Sequence, residues 1–289
     1  MIWAFWALCH TLLYGSANQM NRYWQLPGRV LVRWRSMIPA AFMLPVAFWI
    51  PPPLDPVFYI AVTISGLMVL LHDGRMYDVS AKYGAQVTFR LRALMLPIVF
   101  FVWLALKPAQ IDVLLHAPLM AGGIVACMGL IVFFMMRLGR CHVTRAAFRD
   151  MLPVIACGVV FDITNKTAMD HASFPANTLY YVFFVSGLPM VLAYLTAGKK
   201  RGKLLADMAA MARQGLTVGF VIVFSMVTRN LAMMATPNPA YVTAVSLTAP
   251  FWIMLWMKLR GEKEEADWKN GSALVLSVLA LVLLAAEIR

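Results

Sequence analysis

The sequence predicts an all-α integral membrane protein with about ten transmembrane helices, arranged as two inverted five-helix repeats. Of its 289 residues, 62% are hydrophobic and only 13% are charged, and the mean hydropathy is +0.74. These values differ strongly from those of a soluble domain. Because lipid cannot hydrogen-bond free backbone groups, spanning segments must be helices or closed barrels, and the long apolar runs select helices. At about 20 residues for each span, the chain accommodates about ten of them.

In residues 1–149, apolar runs predict five helices, at about 2–21, 36–50, 57–71, 79–106 and 117–136. Three prolines at 51–53 end the second run, and polar residues end the third. We expect His72, Asp73, Arg75 and Asp78 to form a solvated network at a helix end, where charges usually lie. The fourth run is the least uniform, since Pro97 kinks a helix unless neighbours replace the lost hydrogen bond.

In residues 150–289, five further runs predict helices six to ten, at about 151–169, 176–197, 215–235, 240–257 and 271–286. The formal net charge of +12 comes from basic residues in the short loops between runs, which argues against a nucleic-acid partner. The four cysteines and five histidines are scattered along the chain. No metal site and no cofactor are therefore predicted.

A weak internal repeat divides the chain into units 1–149 and 150–289, which we expect to form one integrated transmembrane domain. Asn18 recurs 147 positions later as Asn165, and Pro97 recurs 153 positions later as Pro250. A slowly drifting offset is expected of two diverged copies, although chance can also produce it. Because each unit holds an odd number of helices, the second copy is inverted in the membrane. Such folds bind solute near the midplane, between the repeats.

The basic residues also predict an orientation. Nineteen of the 25 lysines and arginines lie in the five odd-numbered loops or, for Lys82, in the first turn after one. Basic loops stay on the cytoplasmic side, so this distribution places both chain termini outside.

An acid, an amide and a base interrupt the sixth predicted helix. Asp162 and Lys166 are one helical turn apart in the favourable acid-first order, and Asn165 lies on the same side. Asp162 lies roughly 16 Å into a ~30 Å hydrocarbon core. Charges at this depth usually face a bundle interior or an aqueous pathway. We expect Asp162 and Lys166 to face a central cavity with Asn18 across it. The alternatives are a neutralised pair that fixes helix packing, or Lys166 reaching the interface near Asp170.

Arginines in the fourth and eighth helices are the other candidate site residues. Arg229, beside Asn230, is also near mid-depth, and its guanidinium suits a carboxylate or phosphate. The alternative is a salt bridge from Arg229 to the acid of helix six. Arg90 and Arg92 are about 200° apart around a helix, so both cannot face one cavity at the same height. Gln86 shares the face of Arg90, which favours Arg90 as the cavity residue.

Short motifs near the C-terminus resemble a known family. The residues are Asn238-Pro239-Ala240-Tyr241, Pro250, Gly261-Glu262 and Gly271, with Tyr14-Gly15 in helix one as a looser match. In these positions the chain resembles the drug/metabolite transporter superfamily in its ten-helix EamA-like form. The resemblance implies a secondary transporter of a bacterial inner (plasma) membrane. Family members usually have both termini inside, which is opposite to the charge count.

These observations predict a secondary-active transporter that works by alternating access. The predicted spans contain four cationic side chains, Arg90, Arg92, Lys166 and Arg229, and one anionic side chain, Asp162. This surplus of positive charge favours a small anionic or zwitterionic solute. Asp162 is a candidate proton carrier, so protons are a candidate coupling ion, and the protein is expected as a monomer or homodimer in the bilayer. The alternative is a lipid or lipid-phosphate translocase. A purely structural subunit is the third reading, and an enzyme is not expected because no catalytic constellation is apparent.

Overall fold

The computed structural model describes residues 1–83, 85–138, 143–173, 175–196, 201–261 and 267–287. Every regular element in these ranges is a helix. Six helical segments are long and apolar enough to cross a membrane, namely Pro56–Ser80, Val87–Leu106, Pro118–Arg137, Ala212–Ala235, Pro239–Leu259 and Trp268–Glu287. The chain is therefore an all-helical, multi-pass membrane protein, as the composition predicts.

The described chain contains fifteen helices, and some neighbouring helices, such as the fifth and sixth, are parts of the same apolar run. They are α1 (Ile2–Trp24), α2 (Gly28–Met43), α3 (Val46–Trp49), α4 (Pro56–Tyr83), α5 (Ala85–Arg92), α6 (Met95–Leu106), α7 (Pro108–His116), α8 (Pro118–Arg137), α9 (Arg145–Asp170), α10 (Asn177–Thr196), α11 (Arg201–Ala210), α12 (Ala212–Ala235), α13 (Pro239–Ser246), α14 (Ala249–Leu259) and α15 (Trp268–Glu287).

Helix α2 begins at Gly28, eight residues before the predicted start. The helix carries Val30, Trp34 and Ile38 at four-residue spacing, and all three side chains are buried. This helical period explains the earlier start, because one face of the basic segment packs into the protein. Arg35 consequently lies on a helix and not in a loop.

Helix α4 continues through the segment that was expected to end it. The helix is unbroken to Tyr83, and His72 and Asp73 are only 9% and 6% exposed. The expectation of a solvated helix-end network at these two residues is therefore wrong. Met76 and Val79 are also buried, so the core-facing stripe continues past the charges at helical spacing.

Two membrane-crossing segments are interrupted by two-residue turns. Residues 93–94 separate α5 from α6, and residues 247–248 separate α13 from α14. Pro97 and Pro250 lie within the first turn of the helix that follows each break. Proline is tolerated there because the first backbone N–H groups of a helix lack intrahelical acceptors.

The helices pack in a small number of extensive pairs. The largest contacts join α1 to α12 and α4 to α9, followed by α8 with α15, α2 with α10, α2 with α12, and α4 with α10. Glycines allow two of these approaches. A Cβ on Gly219 of α12 would lie 2.6 Å from Ile38 Cγ1 of α2, and one on Gly66 of α4 would lie 3.1 Å from Leu188 Cδ2 of α10. Small residues at such contacts let membrane helices approach closely.

Candidate functional site

A cavity of about 110 Å³ lies at the centre of the helix bundle. Its wall combines residues from α1, α2, α4, α5, α6 and α8 with residues from α9, α10, α12, α13 and α14. This space admits water-sized molecules, so a small solute fits. The polar side chains of the wall are His10, Tyr14, Arg35, Ser36, His72, Asp73, Arg92, Asp162, Ser186, Ser225, Arg229, Thr243 and Ser246.

Asp162 and Arg229 form a buried ion pair in the cavity wall. The Asp162 side chain is 3% exposed and that of Arg229 is 13% exposed. Arg229 Nη2 donates to Asp162 Oδ1, and Thr243 Oγ1 donates to Asp162 Oδ2 at 2.6 Å. The Arg229 guanidinium carbon also lies 4.5 Å from the centroid of the Phe161 ring, a cation–π distance. The salt-bridge alternative for Arg229 is thus confirmed: the ion pair joins α9 to α12, and the hydrogen bond from Thr243 adds α13.

A second buried carboxylate, Asp73, faces the cavity from α4. Arg35 Nη1 lies 3.2 Å from Asp73 Oδ2, and His72 Nδ1 lies 2.9 Å from Asp73 Oδ1. Both carboxylate oxygens are therefore engaged. The arginine comes from α2, so this ion pair joins two helices as the Asp162 pair does.

Arg92 lies on the wall beside two aromatic residues of α1. Its Nη1 donates to the Tyr14 hydroxyl at 3.3 Å, and its guanidinium carbon is 5.8 Å from the Tyr14 ring centroid. The His10 ring stacks on Tyr14, and His10 Nδ1 lies 2.9 Å from both the carbonyl and the hydroxyl oxygen of Ser225. These contacts connect α5, α1 and α12 around the cavity.

Three predicted site residues, Asn165, Lys166 and Asn230, lie outside the cavity wall and make polar contacts elsewhere. Asn165 Nδ2 donates to Asn230 Oδ1 at 3.1 Å, and Asn230 Nδ2 lies 3.4 Å from the Thr178 carbonyl oxygen. Lys166 Nζ is 2.5 Å from Asp170 Oδ1, one turn further along α9. The expectation that Lys166 faces the cavity is corrected, because its long side chain reaches towards the helix end instead.

Arg90 and Asn18 also lie outside the wall. Arg90 is 5% exposed, and its Nε donates to the Leu138 carbonyl oxygen at 2.6 Å, just beyond the end of α8. The structure therefore places Arg92, and not Arg90, on the cavity. Asn18 does not line the cavity opposite Asp162, and its buried Nδ2 has no hydrogen-bond partner among the described residues.

Among the cavity residues that sequence reasoning missed are Tyr14, His10, Arg35, His72 and Asp73. For His72 and Asp73 the sequence does contain a signal, because they share one helical face with Met76 and Val79, so the helix could have been extended past them. The other three residues are brought to the cavity by packing between helices that are distant in the sequence, and a single sequence does not show that packing.

Comparison with known proteins adds no family to this description. The sequence matches no family model, and no curated protein sequence matches it. Within the described residues, no three or more His, Cys, Asp or Glu side chains are grouped closely enough to hold a metal ion. The geometry of the cavity therefore carries the functional proposal.

Proposed function

We propose that the protein is a secondary-active transporter that moves a small polar solute across the membrane by alternating access. The observation that carries the proposal is the central cavity with its buried Asp162–Arg229 ion pair. Charged groups are expensive inside a bilayer and are usually kept there for a pathway or a coupling step. The proposal agrees with the EamA-like resemblance of the C-terminal motifs.

The proposed architecture has ten spans in two inverted repeats, residues 1–149 and 150–289. The six apolar spans are joined in it by α1, by α2 with α3, by α9 and by α10. In this division α1 corresponds to α9, α2 to α10, α4 to α12, and α8 to α15. When each helix is replaced by its counterpart, the α1–α12 contact becomes the α9–α4 contact, and the α2–α12 contact becomes the α10–α4 contact. These are among the most extensive contacts of the bundle, and α2–α10 and α8–α15 each convert into themselves. This exchange pattern supports the repeat.

Matched local features support the same division. The helix breaks at 93–94 and 247–248 are 154 positions apart, while Gly66 and Gly219 are 153 apart. Gly66 lies against Leu188 and Gly219 lies against Ile38, and these two partners are 150 positions apart. Broken helices at corresponding places in two halves are the usual location of a transporter binding site. Here both breaks adjoin the cavity, since Arg92 and Leu247 line it.

The charges of the cavity favour a solute of negative or mixed charge. Among the described residues, its wall carries three arginines and two aspartates, which is a surplus of one positive charge. A solute anion that competes for Arg229 would release Asp162 from its partner. That exchange would link solute binding to the state of Asp162, the candidate proton carrier.

The proposed orientation places both termini outside a bacterial inner membrane, with the odd-numbered loops in the cytoplasm. Single cysteines engineered near residues 2 and 287 test it in intact cells with a membrane-impermeant thiol reagent. Labelling from outside supports the orientation, and labelling only after permeabilisation reverses it. Native cysteines are replaced first, since Cys9 is partly exposed.

Solute flux in proteoliposomes tests the proposed function. Vesicles are preloaded with small carboxylates or amino acids, and uptake of the same radiolabelled compounds is followed. Asp162→Asn and Arg229→Gln are expected to lose uptake, whereas Arg213→Gln, an exposed arginine of α12, serves as the matched control. Folded protein without flux of any compound contradicts the proposal. Translocation of a fluorescent phospholipid in the same vesicles, without solute flux, would instead support the lipid translocase.

A further inference from the structure

Each of the two carboxylates in the cavity is already paired with an arginine of the protein. Asp162 accepts from Arg229 and Thr243, one on each oxygen. Asp73 is held in the same way by Arg35 and His72. A solute ammonium group would therefore meet carboxylates whose negative charge is already compensated by an arginine.

Arg92 differs from the other two cavity arginines because it has no carboxylate partner within the part of the chain that the structure describes. Among the described residues, its polar contact is the single hydrogen bond to Tyr14, although a guanidinium has five N–H donors. Asp73 and Asp162 act on Arg92 only at longer range, and each is already paired with another arginine. The Tyr14 hydroxyl accepts from Arg92, so its own proton remains available to a second acceptor. Both groups line the cavity.

The size and the apolar part of the wall limit what can bind there. The cavity holds about 110 Å³, well below the ~300 Å³ at which pockets for drug-sized ligands begin. Val69, Phe89 and Met95 contribute apolar wall surface. This volume suits a solute of a few heavy atoms.

We infer that Arg92 and the Tyr14 hydroxyl form a carboxylate-binding subsite, and that the transported solute is a small monocarboxylate with one net negative charge. The inference rests on the proposed transport function and selects the anion over the zwitterion. A planar guanidinium presents parallel N–H groups that match the two oxygens of a carboxylate. One bound negative charge also neutralises the surplus positive charge of the wall.

Equilibrium binding to the purified protein tests this subsite independently of flux. Acetate, propionate and lactate are compared with acetamide, propionamide and lactamide at constant ionic strength, using thermal stabilisation and equilibrium dialysis. β-Alanine adds an ammonium group to propionate, and octanoate adds chain length. The carboxylates are expected to bind, and the amides, β-alanine and octanoate are expected to bind at least about tenfold more weakly.

Variants locate the binding group. Arg92→Gln is expected to weaken carboxylate binding by about tenfold to a hundredfold, the range for hydrogen bonds to a charged group. Arg92→Lys keeps the positive charge but loses the planar guanidinium, so its carboxylate affinity should lie between those of the wild type and Arg92→Gln. Arg213→Gln, an exposed arginine, is the matched control and should bind as the wild type. If Arg92→Gln fails to fold, Tyr14→Phe tests the subsite instead, and its carboxylate affinity is expected to be several fold lower than that of the wild type.

Two results overturn the inference without touching the proposed function. One is flux of a neutral or cationic solute that Arg92→Gln leaves unchanged. The other is carboxylate binding of wild-type strength in folded Arg92→Gln or, where that variant does not fold, in Tyr14→Phe. Failure of all three carboxylates to bind folded wild-type protein also overturns the inference. By contrast, carboxylate binding that depends on Arg92 but occurs without flux supports the subsite and contradicts the transporter.

Discussion

Thr243 donates a 2.6 Å hydrogen bond to the Asp162 oxygen that Arg229 leaves free. The hydroxyl comes from α13, the carboxylate from α9 and the guanidinium from α12. The carboxylate is almost completely shielded from solvent, so its attraction to both donors is weakly screened. This three-helix junction is at once a candidate structural clamp and a candidate coupling point.

Removing one member of the ion pair is expected to destabilise the protein strongly. Asp162→Ala leaves Arg229 buried and unpaired, which costs about 3–5 kcal/mol in comparable buried pairs. The double change Asp162→Leu and Arg229→Met is expected to be more stable than Asp162→Ala but inactive, because it fills the space without charge. Unfolding in detergent and vesicle flux measure the two effects. A double variant that transports would show that the pair serves packing alone.

Thr243→Val separates the hydrogen bond from the ion pair. The substitution keeps the shape of the side chain and removes the donor, so the expected cost is about 1–3 kcal/mol of unfolding free energy. Thr217→Val is the matched control, since the Thr217 hydroxyl donates only to its own helix on an exposed face. Equal stability of the two variants would contradict a role for the Thr243 contact.

The sequence was sufficient to predict the helical membrane class and the Asp162–Arg229 neighbourhood. Apolar length is a local property, and two charges at similar depth in a bilayer have few partners other than each other. The sequence was insufficient for Asp73, because its burial depends on Arg35 from another helix. It also favoured Arg90 over Arg92. The direction of a helical face depends on its neighbours, which the spacing of residues within one helix does not reveal.

Arg90 is expected to stabilise the fold without contributing to solute affinity. Its hydrogen bond to the Leu138 carbonyl fastens α5 to the end of α8, away from the cavity. Arg90→Gln should lower the unfolding free energy by about 1–3 kcal/mol, the range for a lost bond to a charged group. Carboxylate affinity of the folded fraction should stay at the wild-type value. A large loss of affinity at unchanged stability would return Arg90 to the binding site.

The contact between α2 and α12 predicts a position-specific response to glycine substitution. Gly219→Ala would place a Cβ 2.6 Å from Ile38, so the helices must separate, at an expected cost of about 1–3 kcal/mol. Gly129→Ala is the control, because a Cβ at Gly129 meets no described atom within 4 Å. Alanine favours a helix by up to about 1 kcal/mol over glycine, so the control should be neutral or stabilising. Thermal unfolding of both variants compares them, and equal midpoints would contradict the close approach.

A charged contact at the end of α4 predicts a pH-dependent contribution to stability. Lys82 Nζ and the Tyr83 hydroxyl each donate to Asp150 Oδ2 at 2.8 Å, which joins α4 to the start of α9. The hydrogen bond from Lys82, with that from Tyr83, lowers the pKa of Asp150 below 3.8. The hydrogen bond to Asp150 raises the pKa of Lys82 above 10.5.

The two pKa shifts set the window in which Asp150 stabilises the fold. A lowered carboxyl pKa gives stability that is present above the unfolded pKa and is lost as pH falls through the lowered value. A raised amine pKa gives stability that is lost as pH rises through the raised value. The difference in Tm between wild type and Asp150→Asn should therefore be small, constant from about pH 5 to pH 9, and absent in strong acid. Asp112→Asn, at an exposed aspartate of α7, should show no such profile. A difference for Asp150→Asn that persists below about pH 2 would show that shape, and not charge, holds this junction.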